Sequence, residues 1–157
     1  MMKYFEIFVL FALFSITMVV INAEDDDENE IGMTLDELAD ALESFAEDCE
    51  PKPERDHIKQ LLTNDENPHE NSKCFRRCLM EQFELIDEGQ SQMNKDKVVD
   101  MMGMMYADNK EAMEEIVDHC NTKNGATTEK CENAHQHGMC ILSQLKEKGF
   151  KVPEVKE

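Results

Sequence analysis

The sequence predicts an all-α fold, a compact bundle of six helices stapled by three disulfides. Three observations carry this. Apolar residues recur at helical spacing in six successive stretches. No run of alternating β-branched residues appears. Six cysteines follow an apolar leader, and an even number in that context reads as a disulfide framework.

The leader comes first. Lys3 supplies a weak positive start, and Ile7 to Ile21 is an apolar run broken only by Ser15 and Thr17. Asn22-Ala23 then precedes Glu24 and three aspartates. The run is short for a membrane span, which needs about 20 apolar residues, and it ends in a small residue. Residues 1–23 therefore read as a cleaved secretory signal, and the protein as extracellular, in sensory lymph or gland fluid. Residues 24–33 read as an acidic, disordered arm. Residues 34–157 read as one helical domain.

Thr34-Leu35-Asp36-Glu37 is a capping box that opens the first helix. Leu35, Leu38, Leu42, Phe45 and Cys49 follow as one apolar stripe, stopped by Pro51 and Pro53. A second, shorter helix covers Glu54 to Thr63, with Ile58, Leu61 and Leu62 inward. The third runs from about Ser72 to Asp87 and is closed by Gly89. Its apolar set is Cys74, Cys78, Leu79, Phe83 and Ile86. Gly89 to Met93 is a linker. The fourth runs from Asn94 to Tyr106 and is apolar nearly all round through Val98, Val99, Met101, Met102, Met104 and Met105, which predicts burial nearly all round. Asp108 caps the fifth, which carries Met113, Ile116, Val117 and Cys120 ahead of a loop from Asn121 to Thr127. The sixth, Thr128 to Lys148, carries Cys131 and Cys140 with a stripe of Ala134, Gly138, Ile141, Leu142 and Leu145. Phe150 to Pro153 is a tail.

Cys74 and Cys78 share a face of the third helix, and helical i,i+4 Cβ atoms sit too far apart for a disulfide. Cys131 and Cys140 point to opposite sides of the sixth. Of the fifteen pairings open to six cysteines, ten survive these two exclusions.

Charge narrows the partners. A net charge of -19 argues against nucleic acid and against anionic membrane surfaces. No hydrolase elbow, phosphate loop or His-Glu-x-x-His motif is present, so the reading is not an enzyme, and no catalytic residue is expected. No cofactor or metal is expected either. There is no CxxC pair, the acidic arm lacks the spacing of a calcium loop, and His135 and His137 face different directions on a helix. Each of these histidines reads as a surface or boundary residue. His119, beside Cys120, and His135, bordering an apolar stripe, also suggest a pH-dependent loosening of the bundle.

The cysteine spacing can be written whole. It is Cys49, 24 residues, Cys74, three, Cys78, 41, Cys120, ten, Cys131, eight, Cys140. This resembles the six-cysteine pattern of the insect odorant-binding proteins, the pheromone and general odorant-binding family, whose fixed intervals are the gaps of three and eight. The resemblance covers Thr34 to Val152. It implies a six-helix bundle around an apolar cavity. By position, it implies disulfides Cys49–Cys78, Cys74–Cys131 and Cys120–Cys140. The long acidic arm and the absence of tryptophan depart from what is usual there.

The resulting expectation is a secreted carrier of small hydrophobic ligands such as odorants or pheromones. The alternative is a non-olfactory scavenger or interaction protein of gland fluid. Methionine is adaptable and polarizable, which suits a cavity wall. The expected ligand-binding residues are Leu61, Leu62, Phe83, Val98, Met101, Met102, Met105, Tyr106, Leu142 and Phe150, with the Tyr106 hydroxyl as a donor to the guest. Expected partners are the small hydrophobic ligand and a sensory receptor or membrane, with the protein a monomer or weak homodimer.

Overall fold

The computed structural model describes residues 30–156. The expected signal segment and most of the acidic arm lie outside the described residues. A short strand, β1 (Glu30–Thr34), leads into six helices. These are α1 (Leu35–Ala46), α2 (Arg55–Leu62), α3 (Glu70–Gln82), α4 (Lys95–Gly103), α5 (Lys110–Asn124) and α6 (Lys130–Glu147). A last strand, β2 (Glu154–Lys156), pairs in parallel with β1, Ile31 opposite Val155. The fold is all-α apart from this pair, which brings the two ends of the described chain together. No helix among the described residues is long and apolar enough to cross a membrane.

Local chemistry sets the helix ends. At α1 the capping box is formed: the Glu37 N–H donates to Thr34 Oγ1 at 3.3 Å and the Thr34 N–H donates to Glu37 Oε2 at 2.8 Å. α3 ends at Gln82, five residues before the predicted Asp87. Glu84 takes a left-handed conformation (φ 57°), and the Leu85 N–H returns to the Met80 carbonyl at 2.7 Å, the Schellman closure. Ile86 therefore leaves the helix and forms an antiparallel bridge with Met93. α4 stops at Gly103, not Tyr106. Asp108 lies inside a 3-10 turn (Ala107–Asn109) and is not the cap of α5. α5 runs on to Asn124, into the stretch read as a loop. Gly149 closes α6 at φ 81°, where a side chain would be strained, and the Phe150 N–H bonds the Leu145 carbonyl at 2.9 Å.

Three disulfides join the elements. Cys49–Cys78 ties the end of α1 to α3, Cys74–Cys131 ties α3 to α6, and Cys120–Cys140 ties α5 to α6. The packing of α3 on α6 is the most extensive between any two elements. The apolar core falls into two clusters. The larger gathers Met80, Leu85, Ile86, Met93, Val98, Val99, Met102, Met113, Ile116, Val117, Ala134 and Leu145. The smaller holds Ala39, Ala46, Ile58 and Phe75 from α1, α2 and α3.

Two burial expectations fail. Met101, Met104 and Met105 are 39%, 63% and 53% exposed, so α4 is not buried all round. The chain leaves helical geometry at Gly103, and only Val98, Val99 and Met102 face the larger cluster. His135 and His137 are both buried rather than at the surface. α6 is surrounded on nearly every side, so its polar residues must find partners inside. His137 Nε2–H donates to the Ser91 carbonyl at 2.8 Å, and His135 Nε2–H to the Glu66 carbonyl at 3.3 Å. The carbonyls can only accept, which places both ring protons on Nε2.

Two measurements follow from this architecture. The Cys74–Cys131 bridge spans 57 residues, against 29 for Cys49–Cys78 and 20 for Cys120–Cys140. In the chain-entropy description its removal costs about 4 kcal/mol, and removal of Cys120–Cys140 about 3 kcal/mol. Urea unfolding of the paired Cys→Ser variants checks the ranking, and a costlier loss of Cys120–Cys140 contradicts it. The second concerns pH. Burial pushes His135 and His137 below the ordinary histidine value of 6.5. The stability that depends on their neutrality is complete above that value and is lost as pH falls through it toward the lower folded values. Each group contributes at most about 1.4 kcal/mol per pH unit across that window. The urea midpoint should fall between about pH 7.5 and about pH 5.5, with a shallower fall in His137→Gln. A flat profile over that range contradicts the burial of these rings as neutral groups.

Candidate functional site

The residues expected to line one wall divide between the two clusters. Phe83, Tyr106 and Phe150 are half-buried against the larger cluster, and Val98 and Met102 are buried within it. Leu61 and Leu62 are half-buried against the smaller one. Leu142 is half-buried on α6 and belongs to neither. Met101 and Met105 are exposed. Between the clusters, the Phe83 ring beside the end of α3 meets the Phe45 ring of α1 at 5.6 Å between centroids. Leu38, Leu42 and Phe45 along α1 are themselves half-buried. The predicted stripe of α1 thus lies at the edge of the core, and the small Ala39 and Ala46 make its tight contacts.

The tail returns over the larger cluster. Phe150 meets Tyr106 edge to face at 5.2 Å, and Val152 packs alongside. The Tyr106 hydroxyl donates to the Lys151 carbonyl at 2.8 Å. Its proton is therefore committed to the tail, which leaves only the oxygen lone pairs for a guest. Partial burial raises this phenol above its ordinary value, so it stays neutral.

A polar pocket of about 230 Å³ opens elsewhere, between the 89–91 and 125–128 loops and the start of α6. None of the expected ligand residues lines it. Asn133 forms part of its wall and holds the loops, donating to the Ser91 carbonyl at 3.1 Å and the Asn124 carbonyl at 3.0 Å. Ser91 Oγ donates to the Gly125 carbonyl at 2.6 Å. These bonds make the Ser91 hydroxyl and the Asn133 amide nitrogen braces of the loops, while Asn133 Oδ1 is buried without a partner.

Sequence reasoning passed over the two arginines between Cys74 and Cys78. Arg77 is buried and fully engaged: Nε donates to Glu81 at 2.7 Å, and its terminal nitrogens donate to the Gln90 and Asp87 carbonyls at 3.0 and 3.3 Å. Arg76 reaches across to the end of α2, where one nitrogen donates to the Asn64 side-chain oxygen at 3.2 Å and the Leu61 carbonyl at 3.4 Å. Its guanidinium lies directly against Gly138 of α6, the one position there with no side chain to displace it. Lost hydration pulls Arg76 down to about 10. The available signal was topological: residues between two half-cystines of one helix lie where other segments crowd in.

The three disulfides occupy all six cysteines, so no thiolate is available as nucleophile or metal ligand. Residues 32–144 match the PBP/GOBP family. The general odorant-binding protein 19d of Drosophila melanogaster is 27% identical over 100 residues, which cover 62% of this chain and 65% of that protein. The match thus spans just under two thirds of the relative's length. No solved structure matches. With residues 32–144 matched and its helices joined by three disulfides, the chain belongs to the PBP/GOBP family.

Proposed function

We propose that this protein is a secreted carrier of small hydrophobic molecules, of the odorant or pheromone kind, and not an enzyme. The observation that carries the reading is the divided core in a chain of this family. Two apolar clusters are flanked by side chains that stay half-exposed: Leu42, Leu61 and Leu62 beside the smaller, Phe83 and Phe150 beside the larger, and Phe45, which meets Phe83, and Leu142 in neither. Covering such a seam with an apolar guest removes surface from water on both partners. The relative's name supports the same direction, since it is called odorant-binding.

The magnitudes are sufficient. A guest burying roughly 500 Å² of apolar surface, its own and the protein's together, gains about 12 kcal/mol, and a cost of about 4 kcal/mol for lost freedom leaves about 8 kcal/mol, a micromolar affinity. Selectivity among apolar guests would be modest, because burial is non-directional. The helices are held by covalent bridges, so a partly open seam does not need dense packing to persist.

Displacement of an apolar fluorescent probe by a panel of volatile alcohols, esters and aldehydes tests this. At least one should compete at micromolar concentration. Phe83→Ala and Leu142→Ala should each weaken that compound by about three- to tenfold, through lost contact area. A probe that binds but is unaffected by either substitution places the guest elsewhere, and a panel that never displaces it rejects carriage.

A further inference from the structure

Arg76 and Arg77 are adjacent in the chain and opposite in electrostatic circumstance. Arg77 has the Glu81 carboxylate at 2.7 Å. Arg76 has only two neutral oxygens, at 3.2 and 3.4 Å, which is long for a charged donor. No carboxylate pairs with it among the described residues, although the chain contains 35 Asp and Glu. Both of its acceptors are reached by the same terminal nitrogen, so the rest of the guanidinium fork has no protein acceptor among the described residues. Arg76 is half-buried and its remaining nitrogens still reach solvent, so it stands as an accessible cation, partly desolvated and without a counter-ion among the described residues.

Its location suggests what supplies it. Leu61, whose carbonyl Arg76 touches, belongs to the half-buried apolar seam. Gly138 lies against the guanidinium, with Leu142 one turn further along α6 and His135 one turn before. His135 keeps a buried Nδ1 with no partner, so a second unsatisfied polar atom stands on the same run of α6. With its proton on Nε2, His135 presents Nδ1 as an acceptor, so among the described residues Arg76 alone supplies free donors at this end of the apolar seam.

We infer that Arg76 anchors the head group of the guest, and that the preferred guest is an amphiphile with a carboxylate on an apolar chain. A guanidinium fork matches the two oxygens of a carboxylate, and the chain of the guest would then run over Leu61, Leu62 and Leu142. The inference rests on the carrier reading above and sharpens its ligand class.

The test compares dodecanoate, methyl dodecanoate and dodecan-1-ol as competitors of an apolar fluorescent probe, at about pH 7.5, where the acid is ionised. Wild-type protein should favour dodecanoate over its methyl ester by about tenfold or more, and Arg76→Met should bring that ratio near one. Without ligand, Arg76→Met should melt at or above the wild-type temperature, because it removes a cation that lacks a counter-ion. Equal binding of acid and ester by the wild type overturns the inference. So does an acid preference that survives Arg76→Met. A variant that melts far lower, or does not fold, identifies Arg76 as a brace for the end of α2 and also overturns it. If ester and alcohol displace the probe but the acid has no advantage, only the head-group assignment fails. If none of the three displaces it, the carrier reading fails with it.

Discussion

The Cys74–Cys131 bridge is the constraint on which the other elements depend. It fixes α3 against α6, and these two helices are the axis of the molecule. The remaining bridges hang the periphery on that axis, α1 from α3 and α5 from α6. A helix in such a position is enclosed on most sides, so polar side chains on it must be satisfied inside the protein. Arg77 meets this demand, and Asn133 and His137 meet it with one nitrogen each, by holding backbone carbonyls of the 87–91 stretch, Asn133 also holding the Asn124 carbonyl. Asn133 Oδ1 and His137 Nδ1 stay buried without a partner. The loop after α3 is thus held by the axis as well as by its own Ile86–Met93 bridge.

Helices at the periphery were legible in the sequence because they are buried on one side. The Thr34 capping box forms as read, Ile58 is the inward residue of α2, and Met113, Ile116, Val117 and Cys120 of α5 are all buried. Six helices stand where six were expected. The axis was less legible for a physical reason. Periodicity detects a face, and an enclosed helix has no single face. Ser72, Arg77, Asn133, His135 and His137 are buried although their types read as surface. The early end of α3 was hidden as well, since Glu84 is an uncommon residue in the left-handed region and Gly89 offered a more conventional stop.

The candidate site divides in the same way. Residue type selected apolar side chains, of which Phe83, Tyr106 and Phe150 stand half-buried against the larger cluster and Leu142 half-buried on α6 outside both clusters. Type was not enough to say which methionines face inward. Met102 is buried while Met101 and Met105 are exposed, because the chain leaves α4 at Gly103 and turns. The Tyr106 hydroxyl is committed to the Lys151 carbonyl, an attachment that no local pattern announces across 45 residues. Arg76 is the sharpest omission. A charged residue in an acidic chain reads as surface, and only its neighbours Leu61 and Gly138 make its position unusual.

Carriage in the seam between the clusters is the claim that binds these observations together. Isotope-filtered NMR on a complex with an unlabelled apolar compound reads it directly, through contacts from the guest to side-chain methyls. The account predicts contacts to Leu61 and Leu62 beside the smaller cluster and to Leu142 of α6. Contacts confined to the exposed Met101, Met104 and Met105, or to the polar pocket beside Asn133, would contradict it.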